Sequence, residues 1–207
     1  MDARRHGPIA CVVFDLGGVL IDWNPRYLYR KLIPDPERRE HFLSEICSTE
    51  WRLPFDLGAP MADAIAELCD RHPDLRPLIE AYVVCWPEML GGAIDGSVEI
   101  LEDLRKKVPA LYALSNWPAE TFPHARARFD FLDWFDGIVI SGEVGLKKPD
   151  ARFYRLLFER YGIEPGTTLF IDDVPENLEA AEALGLNGLL FTSAGQLRED
   201  LARFDLS

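Results

Sequence analysis

The chain has 207 residues, 48% apolar and 28% charged, enough to bury a core and unlike a disordered or fibrous sequence. Its net charge of −13 argues against a nucleic-acid partner, because an acidic surface repels the phosphate backbone. No apolar run approaches the ~20 residues that span a bilayer, so no membrane partner is expected.

The first element is IACVVFDL, residues 9–16, whose nearly continuous apolar character predicts a strand covered on both faces. The basic start before it has the charge of a secretory leader. Asp15 interrupts the apolar run, however, and no small-residue cleavage site follows, so a cytoplasmic protein is expected. Cys11, Cys47, Cys69 and Cys85 form no CxxC pair and fit reduced thiols in that compartment. Cys69 and His72, in CDRH, lack the second pair that a metal site needs.

About 95 residues separate this strand from the next apolar run, far more than a crossover requires, so an insertion belongs here. Residues 22–88 read as short helices punctuated by proline, a small bundle. GSVEILEDLRKKV then leads back to a second strand, LYALSN (111–116). After it alternate the helical AETFPHARARFDFL, the strand GIVISG (137–142), the helix DARFYRLLFERYG between Asp150 as N-cap and Gly162 as C-cap, the strand TLFIDD (168–173), the helix PENLEAAEALG and the strand GLLFTS (188–193). This alternation predicts an α/β fold: a Rossmann-like, doubly wound parallel sheet formed by residues 1–21 and 89–207, with an inserted α-helical cap at 22–88.

Open parallel sheets bind ligands beyond the carboxyl ends of their strands. There the polar residues gather: Asp15 after the first strand, Ser115 and Asn116 after the second, Lys147 and Lys148 in GEVGLKKPD after the third, Asp172 and Asp173 after the fourth. Carboxylates so placed repel unless a cation joins them, and a hard ion such as Mg²⁺, shared between carboxylates and a phosphate, satisfies that need.

VVFDLGGVL, LSN, GLKKPD and FIDDVPENLEAA, in this order, resemble the four motifs of the haloacid dehalogenase superfamily, in particular its phosphatase-like members with a helical cap after the first strand. Within the insertion, TEWRLPFDLG is similar to a segment of small sugar-phosphate phosphatases of that superfamily. The resemblance implies a soluble Mg²⁺-dependent phosphatase acting on a small phosphorylated metabolite, such as a sugar phosphate. Asp15 is then the nucleophile that forms an aspartyl-phosphate. Ser115 and Asn116 hold the phosphate oxygens, Lys148 neutralises nucleophile and phosphoryl group, and Lys147 is solvated. Mg²⁺ falls to Asp15, the carbonyl of Gly17 and Asp173, with Asp172 a weaker or water-mediated ligand and Asn177 orienting Asp173. Arg26 and Arg52 are candidates for the substrate-binding face of the cap, while Trp23, Trp51 and Trp86 either line it or pack the bundle.

In one place the chain departs from the pattern. Phosphatases of the superfamily usually carry a second Asp two residues after the nucleophile, whose carboxyl protonates the leaving alcohol; Gly17 stands there and offers only a carbonyl. Asp22 is the nearest acid in sequence. Two other readings remain open: a metal-independent haloacid dehalogenase, which suits Gly17 but leaves Asp172 and Asp173 without a role, and a non-catalytic binding module, which gives no reason to keep Asp15 and Lys148.

Overall fold

The computed structural model describes residues 8–206; the basic start of the chain, residues 1–7, lies outside the described residues. Seven strands form: β1 (Cys11–Phe14), β2 (Ile21–Trp23), β3 (Leu90–Ala93), β4 (Ala110–Ser115), β5 (Gly137–Ile140), β6 (Thr168–Asp172) and β7 (Asn187–Leu190). Five of them make a parallel sheet in the order β5-β4-β1-β6-β7, with β1 at the centre. The order reverses direction at β1, which is the crevice where such sheets bind ligands.

The sheet explains the apolar runs. Along β1, Val12 and Phe14 enter one core with Leu111, Leu169 and Ile171, while Cys11 and Val13 enter a second with Leu114, Val139 and Phe170. Successive side chains point to opposite faces and both faces are covered, so every position must be apolar.

Between β2 and β3 the chain forms α1 (Arg26–Leu32), α2 (Pro36–His41), α3 (Thr49–Asp56), α4 (Met61–Arg71) and α5 (Arg76–Val84). Then come α6 (Asp95–Leu104), α7 (Phe122–Arg128), α8 (Ser141–Val144), α9 (Ala151–Tyr161), α10 (Pro175–Ala183) and α11 (Ala194–Leu201). Asp150 caps α9 as the sequence predicts, accepting from the Arg152 amide at 2.9 Å, and Gly162 ends it with φ +65°. Proline opens α2 and α5 as well as α10, where its missing N–H costs no hydrogen bond. No helix of the described residues is long and apolar enough to cross a membrane.

The structure adds three elements. Ile21–Trp23 and Leu90–Ala93 pair antiparallel, so a two-stranded ribbon carries the insertion. The last residues of GIVISG turn into α8, and the C-terminal segment forms α11, capped by Ser193. The helical pattern of residues 119–132 shortens to α7 followed by a 3-10 turn, Asp130–Trp134.

The insertion rests on the sheet's rim. Just past α3, Gly58 has φ +87° and packs on α8, so that a Cβ there would stand 2.6 Å from the Gly142 carbonyl oxygen. The Met61 amide donates to Glu120 at 2.9 Å close by. Gly58→Ala is therefore expected to lower stability by ~1–3 kcal/mol in urea unfolding, the usual cost of left-handed strain in a residue with a Cβ. Gly166→Ala, with nothing within 4 Å of the new methyl, is the control, expected within ~0.5 kcal/mol of wild type.

Candidate active site

The register of the sheet builds the site. Phe14 pairs with Ile171, and the Asp15 amide donates to the Ile171 carbonyl at 2.8 Å, so Asp15 and Asp172 emerge side by side from β1 and β6. β4, on the other flank of β1, ends in Ser115, whose hydroxyl donates to Asp15 Oδ1 at 2.7 Å; the Leu16 amide reaches the same oxygen at 2.7 Å.

Between the two carboxylates lies Lys148, only 1% exposed, with Nζ 2.9 Å from Asp15 Oδ2 and 2.7 Å from Asp172 Oδ2. Burial disfavours the charged ammonium, yet the Asp15 and Asp172 carboxylates outweigh it and raise the lysine above its ordinary value. Asp15 is shifted as well. Burial first, and then the Asp172 charge, push its carboxyl from 3.8 to about 6 against the pull of Lys148 and Ser115.

The backbone at Lys148 is clamped by Asn116, whose Oδ1 accepts from the Lys148 amide at 2.8 Å and whose Nδ2 donates to the Lys148 carbonyl at 3.1 Å. Expected to hold phosphate oxygens, Asn116 has both ends of its amide engaged in placing the lysine. Asn177 also differs from expectation. It donates to Asp172, at 2.9 and 3.1 Å, and not to Asp173. With the Val174 amide on Oδ1 and Lys148 on Oδ2, Asp172 is surrounded by protein donors and serves the lysine.

Asp173 is exposed beyond this buried group. One oxygen each of Asp15, Asp172 and Asp173 lie within 4.8 Å of one another, the one such cluster among the described residues. Partial desolvation and the Asp172 charge raise the Asp173 carboxyl. Gly18, at φ +80°, leaves room for it, since a Cβ there would collide with the carboxylate. Three carboxylates against one ammonium, all hard oxygen donors, fit a divalent cation such as Mg²⁺.

Beside the rim a cavity of about 220 Å³ is walled by Gly17, Asn116 and Trp117 of the sheet side and by Trp23, Arg52, Phe55, Asp56, Tyr82 and Trp86. Arg52 and two of the three candidate tryptophans thus reach it. Trp51 instead packs the bundle, with its ring centroid 4.9 Å from Phe55 and 5.2 Å from Tyr82. Arg26 is also corrected: its guanidinium forks Glu40, with Nε 3.0 Å from both oxygens, and it is not among the residues lining the cavity. Lys147, expected in solvent, lies half-buried 3.8 Å from Asp56. Asp22 sits in the ribbon, accepting from the Tyr27 hydroxyl under Gly91, and does not line the cavity.

The profile of the haloacid dehalogenase-like hydrolases matches residues 9–185. The chain belongs to this family. Within it, a sesquiterpene phosphatase of Aspergillus oryzae is 29% identical over 88% of this chain and 89% of its own length. A phosphorylated carbohydrates phosphatase of Thermotoga maritima is 25% identical over 84% and 81%. Among solved structures, a family enzyme of Bacteroides thetaiotaomicron in complex with magnesium and inorganic phosphate superposes with TM-score 0.70 over 89% of this chain and 95% of that one, at 24% identity. An L-2-haloacid dehalogenase of Xanthobacter autotrophicus shares the fold at TM-score 0.61 and 19% identity, over 96% and 84%.

In this hydrolase, Lys148→Met leaves two buried carboxylates without their counter-ion, and a loss of ~3–5 kcal/mol at neutral pH is expected. Lys147→Met, removing a partly exposed pair, costs less than ~1 kcal/mol. The sign with pH follows from Asp15. A carboxyl raised on folding weakens the folded state as pH rises from its unfolded value to its folded one, and losing Lys148 raises it further. The Lys148→Met deficit should therefore widen as pH rises above about 6, where Asp15 ionises in wild type before it does in the variant, and narrow below that pH, as read by denaturant unfolding on both sides of it.

Proposed function

We propose that the chain is an Mg²⁺-dependent phosphatase that hydrolyses a small phosphorylated metabolite through an aspartyl-phosphate on Asp15, with residues 22–88 acting as its cap. The carboxylate cluster carries this reading: Asp173, exposed at the mouth and close to Asp15 and Asp172, has a role in a cation-assisted phosphoryl transfer and none in a metal-free attack on carbon. The phosphatases of A. oryzae and T. maritima and the magnesium and phosphate complex of the B. thetaiotaomicron enzyme support it.

Asp15 Oδ2 attacks phosphorus, forming an anhydride that water then hydrolyses, so one hard displacement becomes two easier ones. The Ser115 hydroxyl, now on Asp15 Oδ1, is placed to hold that carboxylate in its attacking orientation and to meet a phosphoryl oxygen. Lys148, fixed by Asp172 and Asn116, offsets charge on nucleophile and phosphoryl group without having to move. Asp15, Asp173 and the Gly17 carbonyl would hold Mg²⁺, which would supply charge stabilisation to the phosphoryl oxygens. The aromatic walls formed by Trp23, Phe55, Tyr82, Trp86 and Trp117 suit the face of a sugar or another ring on the ester's organic side, and Arg52 suits a further oxygen or charge on it.

A panel of phosphorylated metabolites assayed with Mg²⁺, and again with chelator, tests the reading. Turnover is expected only with the cation, and Asp15→Asn is expected to lose ~10³-fold or more; retention within about tenfold overturns the nucleophile. Halide release from haloacids without metal would favour the dehalogenase.

Metal binding has its own readout. At about 100 times its dissociation constant, Mg²⁺ should stabilise wild type by ~2.7 kcal/mol in thermal unfolding. Asp173→Asn should abolish that shift, while the metal-free variant is at least as stable as wild type because a like charge is gone.

A further inference from the structure

On the phosphatase reading, something must protonate the oxygen that leaves phosphorus, and Gly17 cannot. The space beside it is open: nothing stands within 4 Å of where a Gly17 Cβ would lie, and the glycine forms part of the cavity wall. Among the described residues, Asp56 is the one carboxyl group lining that cavity. It is the last residue of α3, brought over the rim by the seating of Gly58 on Gly142. Other candidates fail on position or chemistry. Asp22 faces Tyr27 in the ribbon, Asp173 belongs to the carboxylate cluster, and burial raises the Tyr82 phenol well above its usual range, so that it releases a proton poorly.

We infer that Asp56, delivered from the insertion, is the proton donor to the leaving oxygen and so replaces the acid absent at position 17. As the bond between Asp15 and phosphorus forms, the bond from phosphorus to the ester oxygen breaks, and that oxygen takes the Asp56 proton to leave as a neutral alcohol. The Asp56 carboxylate then accepts a proton from the water that attacks the aspartyl-phosphate, releasing phosphate, freeing Asp15 and restoring the acid. The surroundings suit both states. Burial raises the Asp56 carboxyl, and a helix C-terminus disfavours a negative charge, while Lys147 at 3.8 Å and Arg52 on the same helix keep the carboxylate from being too basic to give its proton up.

The test compares para-nitrophenyl phosphate, whose phenolate leaves unaided, with phenethyl phosphate, which places a ring in the same cavity but leaves as an alkoxide unless protonated. In wild type the two should differ little for their leaving-group acidity. Asp56→Asn should lower the phenethyl-to-nitrophenyl ratio of kcat by ~10²- to 10⁴-fold, the usual worth of a general acid, and Gly17→Asp added to that variant should restore much of the ratio. Lys147→Met, which breaks the same ion pair but keeps the acid, should change the ratio far less than Asp56→Asn does. An equal loss on both esters from Asp56→Asn and Lys147→Met would make Asp56 only a latch for the insertion and overturn the proposal, as would no change in the ratio. Should Asp56→Asn fail to fold, a steep leaving-group dependence in wild type overturns the proposal, since no acid then acts, and Asp56→Glu, which keeps the acid but moves it, takes its place and should lower the same ratio. Absence of turnover on both esters and on the metabolite panel with Mg²⁺ overturns the phosphatase reading itself, a different result from a wild type that hydrolyses only the aryl ester.

Discussion

One ammonium group organises this site. Lys148 lies in the interior at 1% exposure, where a lone charge would cost several kcal/mol, and it is tolerable only because Asp15 and Asp172 flank it at 2.9 and 2.7 Å. Those two carboxylates can flank it only if β1 and β6 are neighbours in register, and the lysine can reach them only if the loop after α8 is held down, which the two hydrogen bonds from Asn116 do. The electrostatics of the site and the topology of the sheet thus constrain each other.

The same trio sets the chemistry available at the mouth. With one positive charge shared by two buried acids, the further carboxylate of Asp173 leaves the rim negative and suited to a hard cation. The carboxylates lie at the sheet's edge, and the cavity beside them is walled by rings from both sides, Trp117 from the sheet side and Trp23, Phe55, Tyr82 and Trp86 from the insertion, so a charged region adjoins one suited to a carbon skeleton. The insertion does more than cover the rim, because it also carries Asp56 and Arg52 into the space that Gly17 leaves open.

Much of the fold was legible in the chain. A fully buried parallel strand needs apolar residues on both faces, which is why β1 and β6 stand out, and Asp150 and Gly162 mark α9 because a helix leaves orphan amides and carbonyls at its ends. The ribbon was not legible: three- and four-residue strands, one containing Gly91 and Gly92, carry no pattern of their own and exist because each pairs with the other across the insertion. At the site, Asp15, Ser115, Lys148 and Asp173 could be placed from strand ends and motifs. The partners of Asn116, Asn177, Arg26 and Lys147 could not, since a short amide or a long flexible cation takes whichever hydrogen-bond or charge partner the neighbouring segment presents.

By itself, then, the sequence determined the order of the five parallel strands and the main helices between them, the presence of an insertion after the first strand and the set of acids and bases at the carboxyl edge, because these follow from burial periodicity and from groups one or two residues apart. Tertiary structure decided which acid serves the lysine and which faces the mouth, and that Asp56 shares a cavity with Gly17. Those are contacts between segments far apart in the chain, and their geometry exists only once the sheet register and the seating of the insertion have brought the segments together.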